Sequence, residues 1–465
     1  MTRFLKTGLL LALVFAVVWL AVIIWWQESR TLPTGLDIGL YLFALPLALI
    51  TAGWAGLRLA RARRDARAAA AAAPAAAAPA ETPAAPAATR LVALAATARA
   101  APGSDLADIH AALAAQQRPA LDDTLRNARG FPVFSARAAH LDSGALREAA
   151  TIDDTPPAAR AEDCLRATAL LCEVAESLSR QARAHVLEHG TPERDDDWPL
   201  LQLELLLPAH WPAAARDHAQ AQARAATAWP ATRLSLRSHE AGDTLASDSL
   251  LRQLAREPVN AERAALCLVA VADSYIDALV VQDWDADGSL ISTTTPQGRV
   301  PGEAAAGLLL DLARNAPPVA GDTPPLPPPE GAFVLTLSAT AHRATRADAR
   351  GAANEPTLAE LATHFLAQQE RRADEIRALV SDADHRGSRP LEAAGLASTL
   401  FPALDPNQEC LAVGTACGYT GAAAHLLTLA VAGQASAQAE APVLAVMTQD
   451  PALRSVALVS QPLSA

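Results

Sequence analysis

Aromatic residues are scarce: Phe, Tyr and Trp make up only 4% of 465 residues. There are only two methionines and five cysteines. The cysteines, Cys164, Cys172, Cys267, Cys410 and Cys417, are odd in number and form no Cys-x-x-Cys pair. That spacing excludes a zinc ribbon and a disulfide scaffold, and predicts free thiols in a reducing compartment. Positive charge is in deficit, with a formal net charge of −12, which excludes nucleic acid as the main partner. No Gly-x-Ser-x-Gly elbow, phosphate loop or dinucleotide fingerprint is present, so three common cofactor and nucleophile frameworks are ruled out. Nothing in the pattern calls for a cofactor or a metal.

What is abundant is alanine and apolar surface: hydrophobic residues reach 51%, enough for a large core. Two runs, Thr7 to Trp26 and Ile38 to Leu57, are uncharged. Each is long enough to span a bilayer as a helix, which takes about 20 residues. Pro46 inside the second is tolerated where neighbouring structure re-satisfies the freed carbonyl. Trp25 and Trp26 suit an interfacial belt better than a signal-peptide cleavage site. Arg3 and Lys6 precede the first run, and Arg58, Arg61, Arg63, Arg64 and Arg67 follow the second. Only Arg30, offset by Glu28 and Asp37, lies between them, so both ends are expected in the cytoplasm. The expected organisation is a transmembrane hairpin over residues 1–67, an Ala/Pro-rich linker over 68–89 and a globular domain over 90–465. Prolines at 74, 79, 83 and 86 interrupt the alanine tract and make it a semi-rigid spacer. The expected location is a bacterial inner membrane, with the domain on the cytoplasmic side.

Within the globular region, periodicity alternates between strand and helix, which favours a layered α/β domain. Strands are expected at Leu91 to Ala96, Leu201 to Leu207, Thr232 to Leu236, Ala265 to Ala272, Ala332 to Ser338, Ala378 to Ser381, Pro442 to Thr448 and Ser455 to Val459. Helices are expected at Asp105 to Gln116, Arg160 to His185, Ser249 to Arg256, Ala305 to Arg314, Leu358 to Arg377 and Ala422 to Ala432. The Pro-rich stretch Gly321 to Gly331 is expected to be a loop between two halves.

The run from Gly414 to Ala424, Gly-Thr-Ala-Cys-Gly-Tyr-Thr-Gly-Ala-Ala-Ala, opens a helix with small residues whose free N–H groups can face an anion or carbonyl. It resembles the C-terminal motif of β-ketoacyl synthases and the thiolase superfamily, where a catalytic His stands in a Gly-His-x-x-Gly/Ala-Ala pattern. Tyr419 is the matching residue here. Further matches follow in order. Leu91 to Ala120 is similar to the family's opening strand and helix. Cys267 to Ser274 resembles its buried strand ending in Asp-Ser. Pro301 to Ala306 resembles the stretch that opens a following helix. Asp382 to Ala393 lies where the family carries a His-Gly-Thr-Gly-Thr run followed by Glu-Ala. The resemblance implies a thiolase-like αβαβα domain.

In that family a Cys at a buried helix start takes the acyl group, and two basic side chains move protons. No Cys lies between Cys172 and Cys267. Ser247 or Ser249 could stand near the nucleophile position, though a hydroxyl needs a strong base beside it. Tyr419 is a poor base at neutral pH. His385 reaches the other basic position only if the alignment shifts by three residues. Cys417 would be a replacement nucleophile on the wrong loop. The primary expectation is therefore a membrane-anchored domain that has lost condensing chemistry and serves as a binding or scaffold module. Protein partners are expected, with a homodimer as one form. By analogy it would suit an envelope machine such as type VI secretion. The alternatives are an acyltransferase using Cys417 or Ser247 with His385 or His425 as base, and an acyl-chain binder without turnover.

Three weaker patterns complete the reading. Asp283 to Gly288 mimics the start of a calcium loop, but Thr294 replaces the closing Glu, so a solvated turn is expected. The acidic cluster Glu193 to Asp197 is expected to be a solvated loop. His185 and His189 could share a helix face, with no third ligand evident.

Overall fold

The computed structural model describes residue 19 and residues 88–257, 266–315, 328–349, 352 and 355–462. The two expected spans, apart from Trp19, and nearly all of the linker lie outside the described residues. Among the described residues, no helix is long and apolar enough to cross a membrane. The chain divides into two compact units, Met1–Ala85 and Pro86–Ala465.

The second unit is built twice on one plan. Its first half contributes β1 (Thr89–Ala100), β4 (Leu201–Pro208), β5 (Leu234–Ala241), β6 (Leu266–Ser274) and β7 (Glu303–Asp311). The second half contributes β8 (Phe333–Leu337), β10 (Ala378–Ser381), β11 (Cys410–Ala412), β12 (Val443–Met447) and β13 (Leu453–Ser460). The strand order is β11-β10-β12-β13-β8-β1-β7-β6-β4-β5, with the short β9 (Ala341–His342) beside β13. In each half three parallel strands are followed by two antiparallel ones. The halves meet where β1 pairs with β8, from Thr89 opposite Leu337 to Ala93 opposite Phe333. A separate hairpin joins β2 (Ala120–Arg126) to β3 (Pro132–Ser135).

Both sheet faces are covered, as a parallel-rich sheet requires. Along β6, Cys267, Val269 and Val271 enter the central core, while Leu266, Leu268, Ala270 and Ala272 enter an outer one. Strand β12 repeats this: Val443, Ala445 and Met447 face the centre, and Leu444 and Val446 face a third core. The central layer holds α1 (Leu106–Ala114), α5 (Ala246–Arg256) and α10 (Ala424–Ala439). One outer layer holds α3 (Glu162–His189) and α4 (Ala213–Ala226), the other α7 (Thr357–Gln368) and α8 (Arg389–Leu400). These are the five αβαβα layers expected. Helix α10 is mostly apolar and buries every residue from Ala424 to Gly433, as a central helix must. At Gly433 a Cβ would strike the Phe333 ring, so the helix approaches β8 only because a side chain is missing.

Several expectations are corrected. Ala305 to Arg314 is not a helix but most of β7, followed by a 3-10 turn. Its residues are buried on both faces, so the strand shows no alternation and its Ala/Leu run mimics a helix. The Pro301 to Ala306 stretch therefore leads into a strand. The helix expected to reach Arg377 stops at Gln368; Glu370 takes a left-handed φ of 52° and a 3-10 turn follows. The helix expected from Ala422 starts as a 3-10 turn at Gly421–Ala423 and runs on to Ala439. Residues Asp283 to Asp287 are not a solvated loop but the end of α6 (Ala278–Asp287), closed by Gly288 in the left-handed region. The loop expected at Gly321 to Gly331 is described only from residue 328 onward.

Candidate functional site

A cavity of about 290 Å³ opens at the C-terminal ends of the parallel strands. Its walls come from segments far apart in sequence. His210 follows β4, Thr244 follows β5, Asp273 lies at the end of β6 and Tyr275 follows it. Arg386 follows β10, Tyr419 precedes α10, and Arg299 enters from the loop before β7. This placement is where open α/β sheets collect their functional groups, because strand ends leave loops free to vary.

Asp273 sits deepest, 1% exposed. Burial pushes its carboxyl up to about 7, against hydrogen bonds donated by Ala422 N (3.0 Å), Tyr275 OH (3.1 Å) and Ser274 N (3.0 Å). His210 Nε2 lies 3.8 Å from Asp273 Oδ1, and burial lowers the imidazole. A carboxyl raised to about 7 beside an imidazole can exchange a proton with a bound molecule. Gly421, at φ 50°, holds the turn against Asp273 and Tyr275; any side chain there would collide with both. Thr244 Oγ1 is buried in the wall without a hydrogen-bond partner among the described residues.

An aromatic cluster lines one side. The Tyr275 ring lies 4.9 Å from Tyr419, 5.1 Å from Trp284 and 5.6 Å from His210. Arg299 stacks over Tyr419 at 4.7 Å and over Trp284 at 5.2 Å, and Arg386 covers Tyr419 at 5.1 Å. Tyr419 therefore serves as a platform for two guanidinium groups. Arg386 is itself held by Asp384 (2.6 Å) and Gln449 (2.6 Å).

The remaining sequence candidates do not converge on this cavity. Cys417 is fully buried, and burial pushes its thiol up to about 12, so it holds no thiolate at neutral pH. His385 Nε2 donates to the Gly298 carbonyl at 2.9 Å and does not line the cavity. Ser249 is exposed on α5. Ser247, in the first turn of α5, does find a base: its Oγ is 2.6 Å from His425 Nδ1. The sequence showed no base beside Ser247 because α10 supplies it. His425 Nε2 is 3.6 Å from Asp248 Oδ1, longer than a hydrogen bond. Burial alone would raise the Asp248 carboxyl, but His425 and Arg252 hold it well below the usual carboxylate range. Ser, His and Asp thus stand in contact order, yet Ser247 and His425 are both 0% exposed and neither lines the cavity. His210, Tyr275, Arg299 and Arg386 carry no sequence signal of their own. Asp273 has one, standing at the polar end of an apolar strand.

Glu303 and Glu392 are structural. Glu303 accepts from Arg166 Nε (2.8 Å) and the Ala138 N–H (2.6 Å), tying α3 to β7. Glu392 lies between Arg343 (2.6 Å) and Arg454 (2.7 Å) inside the second half.

No protein-family model and no curated protein matches the sequence. Solved structures do. A chain of the AntDE:AntF complex, a type II polyketide synthase acyl-carrier protein with its ketosynthase bound to the hexaketide, matches at 10% identity. It covers 81% of this chain and 100% of that one, with a TM-score of 0.51. The ishigamide ketosynthase/chain length factor matches at 17% identity over 80% of this chain and 99% of that chain, TM-score 0.48. The ketosynthase from module 6 of the bacillaene synthase of Bacillus subtilis 168 matches at 11% identity over 81% and 72%, TM-score 0.49. The domain has a ketosynthase-like, thiolase-like fold.

Proposed function

We propose that this chain is a thiolase-like domain without condensing activity, tethered to the cytoplasmic face of a bacterial inner membrane by a two-span hairpin. It acts as a binding module through the cavity at the strand ends. One observation carries the reading: among the described residues, no Cys, Ser or Lys lines the cavity. The residues there are Asp, His, Tyr, Thr and Arg, suited to hydrogen bonding and proton exchange. The site of the resembling family's second His is occupied by Tyr419, which stacks under arginines. A wall so rich in charge does not suit a long acyl chain, which disfavours the acyl-chain reading.

Protein partners fit an anchored module on a spacer, and the type VI secretion setting stands as an analogy only. A homodimer is supported by β5, an eight-residue strand at one end of the sheet order whose outer backbone groups have no strand partner among the described residues.

The test uses the full chain in mild detergent, incubated with acyl-CoA and with acyl-carrier protein, followed by intact mass measurement. Unmodified chain is expected; a covalent acyl adduct would overturn the reading. Retrieval of the same protein set from membranes with wild type, but not with Arg299→Ala, supports the binding role.

A second reading draws on the 2.6 Å contact between Ser247 and His425. If a partner opened the central layer, Ser247 would be a hydroxyl with a base at hand, and acyl transfer would become possible. An acyl adduct on Ser247, absent in Ser247→Ala, would establish it.

A further inference from the structure

The last turn of α3 gathers three donor side chains away from the cavity. His185, Glu188 and His189 occupy positions i, i+3 and i+4, which share one helix face. Their ligand atoms all lie within 4.8 Å of one another. The imidazole rings meet edge to face with centroids 4.7 Å apart. His189 Nδ1 lies 2.7 Å from the His185 carbonyl oxygen, to which it donates. That bond settles the tautomer, leaving the Nε2 lone pair of His189 free to bind a cation. His185 Nδ1 is buried and has no hydrogen-bond partner among the described residues. A buried ring nitrogen without a partner is uncommon and calls for an explanation.

We infer that His185, Glu188 and His189 form a binding site for a divalent transition-metal ion of the zinc class, with solvent completing the coordination. Two imidazoles and one carboxylate match the borderline-soft preference of zinc and are a poor set for calcium or magnesium, which favour oxygen ligands. The helix C-terminus adds its negative dipole end, which favours a cation there. The donors also spell His-x-x-Glu-His, a pattern found in a class of zinc peptidases. Peptidase chemistry needs a cleft around the metal. Here Glu188 and His189 are exposed on a helix end, so the site is structural or regulatory and not hydrolytic. A bound ion would link two successive turns and prevent the end of the longest described helix from fraying.

The test is calorimetric titration of metal-free full chain in detergent with zinc chloride, with cobalt chloride as a spectroscopic stand-in. One equivalent is expected to bind saturably, with visible ligand-field absorption for cobalt and a higher melting temperature with zinc. His185→Ala and His189→Ala should each weaken binding by about tenfold or more, since even outer-shell changes cost 10–100-fold. His185 is only partly buried, His189 is exposed and alanine is a good helix former, so the variants should fold. Glu188→Gln keeps the shape and should weaken binding while leaving the apo melting temperature unchanged. Equal zinc affinity in wild type and in the double His variant, or no saturable binding, would overturn the assignment.

Discussion

Ser247 Oγ and His425 Nδ1 lie 2.6 Å apart although 178 residues separate them. The contact joins the first turn of α5 to α10 inside the central layer, where neither residue is exposed. His425 Nε2 has no hydrogen-bond partner among the described residues, whereas Nδ1 pairs with the Ser247 hydroxyl. Replacing Ser247 by Ala leaves that buried nitrogen without a partner. The expected loss is about 1–3 kcal/mol of unfolding free energy, read from urea denaturation. Wild type should also resist a fluorophosphonate probe, because the hydroxyl has no route to solvent.

The cysteines should be silent in the folded chain. Burial pushes the Cys417 and Cys172 thiols up to about 12 and Cys410 to about 11. Iodoacetamide at pH 8 should leave Cys417 unmodified until denaturant is added, as peptide mass mapping would show. Rapid labelling of native Cys417 would contradict its placement.

Asp273 predicts a pH dependence with a definite sign. Its folded value of about 7 stands above the ordinary carboxylate value of about 3.9. Between those two values the folded chain binds the extra proton, so this contribution to stability is lost as pH rises through the window and is level above it. Asp273→Asn cannot ionise. Its stability relative to wild type should improve by about 2 to 3 kcal/mol between pH 5 and pH 8. A stability gap independent of pH would mean that Asp273 titrates normally.

Arg343, Glu392 and Arg454 form a buried triad in the second half. Removing the shared carboxylate leaves the buried Arg454 without its carboxylate partner, while Arg343 keeps Glu355 at 3.0 Å. Glu392→Ala should cost about 3–5 kcal/mol, measured by chemical denaturation.

Gly421→Ala probes the cavity floor directly. A methyl group there meets the Asp273 carboxylate and the Tyr275 ring, at a backbone φ of 50°. Displacement of Asp273 should alter ligand-dependent thermal shifts more than a conservative Gly→Ala change elsewhere. Gly395→Ala, on α8 with open space around it, is the control.

Much of this molecule follows from local chemistry. Strands β6, β8, β10 and β12 announce themselves through short apolar runs bounded by turns, and Asp105 caps α1 by accepting from Asp108 N as its position implies. The absence of a cysteine between Cys172 and Cys267 and the presence of Tyr419 in the small-residue run were also legible. Strand β7 was not legible: with both faces covered it loses the alternation by which strands are recognised. The cavity was not legible either. Its groups come from the ends of β4, β5, β6 and β10 and from the segments before β7 and α10, and only the folded sheet makes neighbours of His210, Asp273, Arg299 and Tyr419. Ser247 gained its base, and Asp273 its raised carboxyl, for the same reason. Residue type is written in the chain, but desolvation and hydrogen-bond partners depend on what packs alongside, and the layered fold alone decides that.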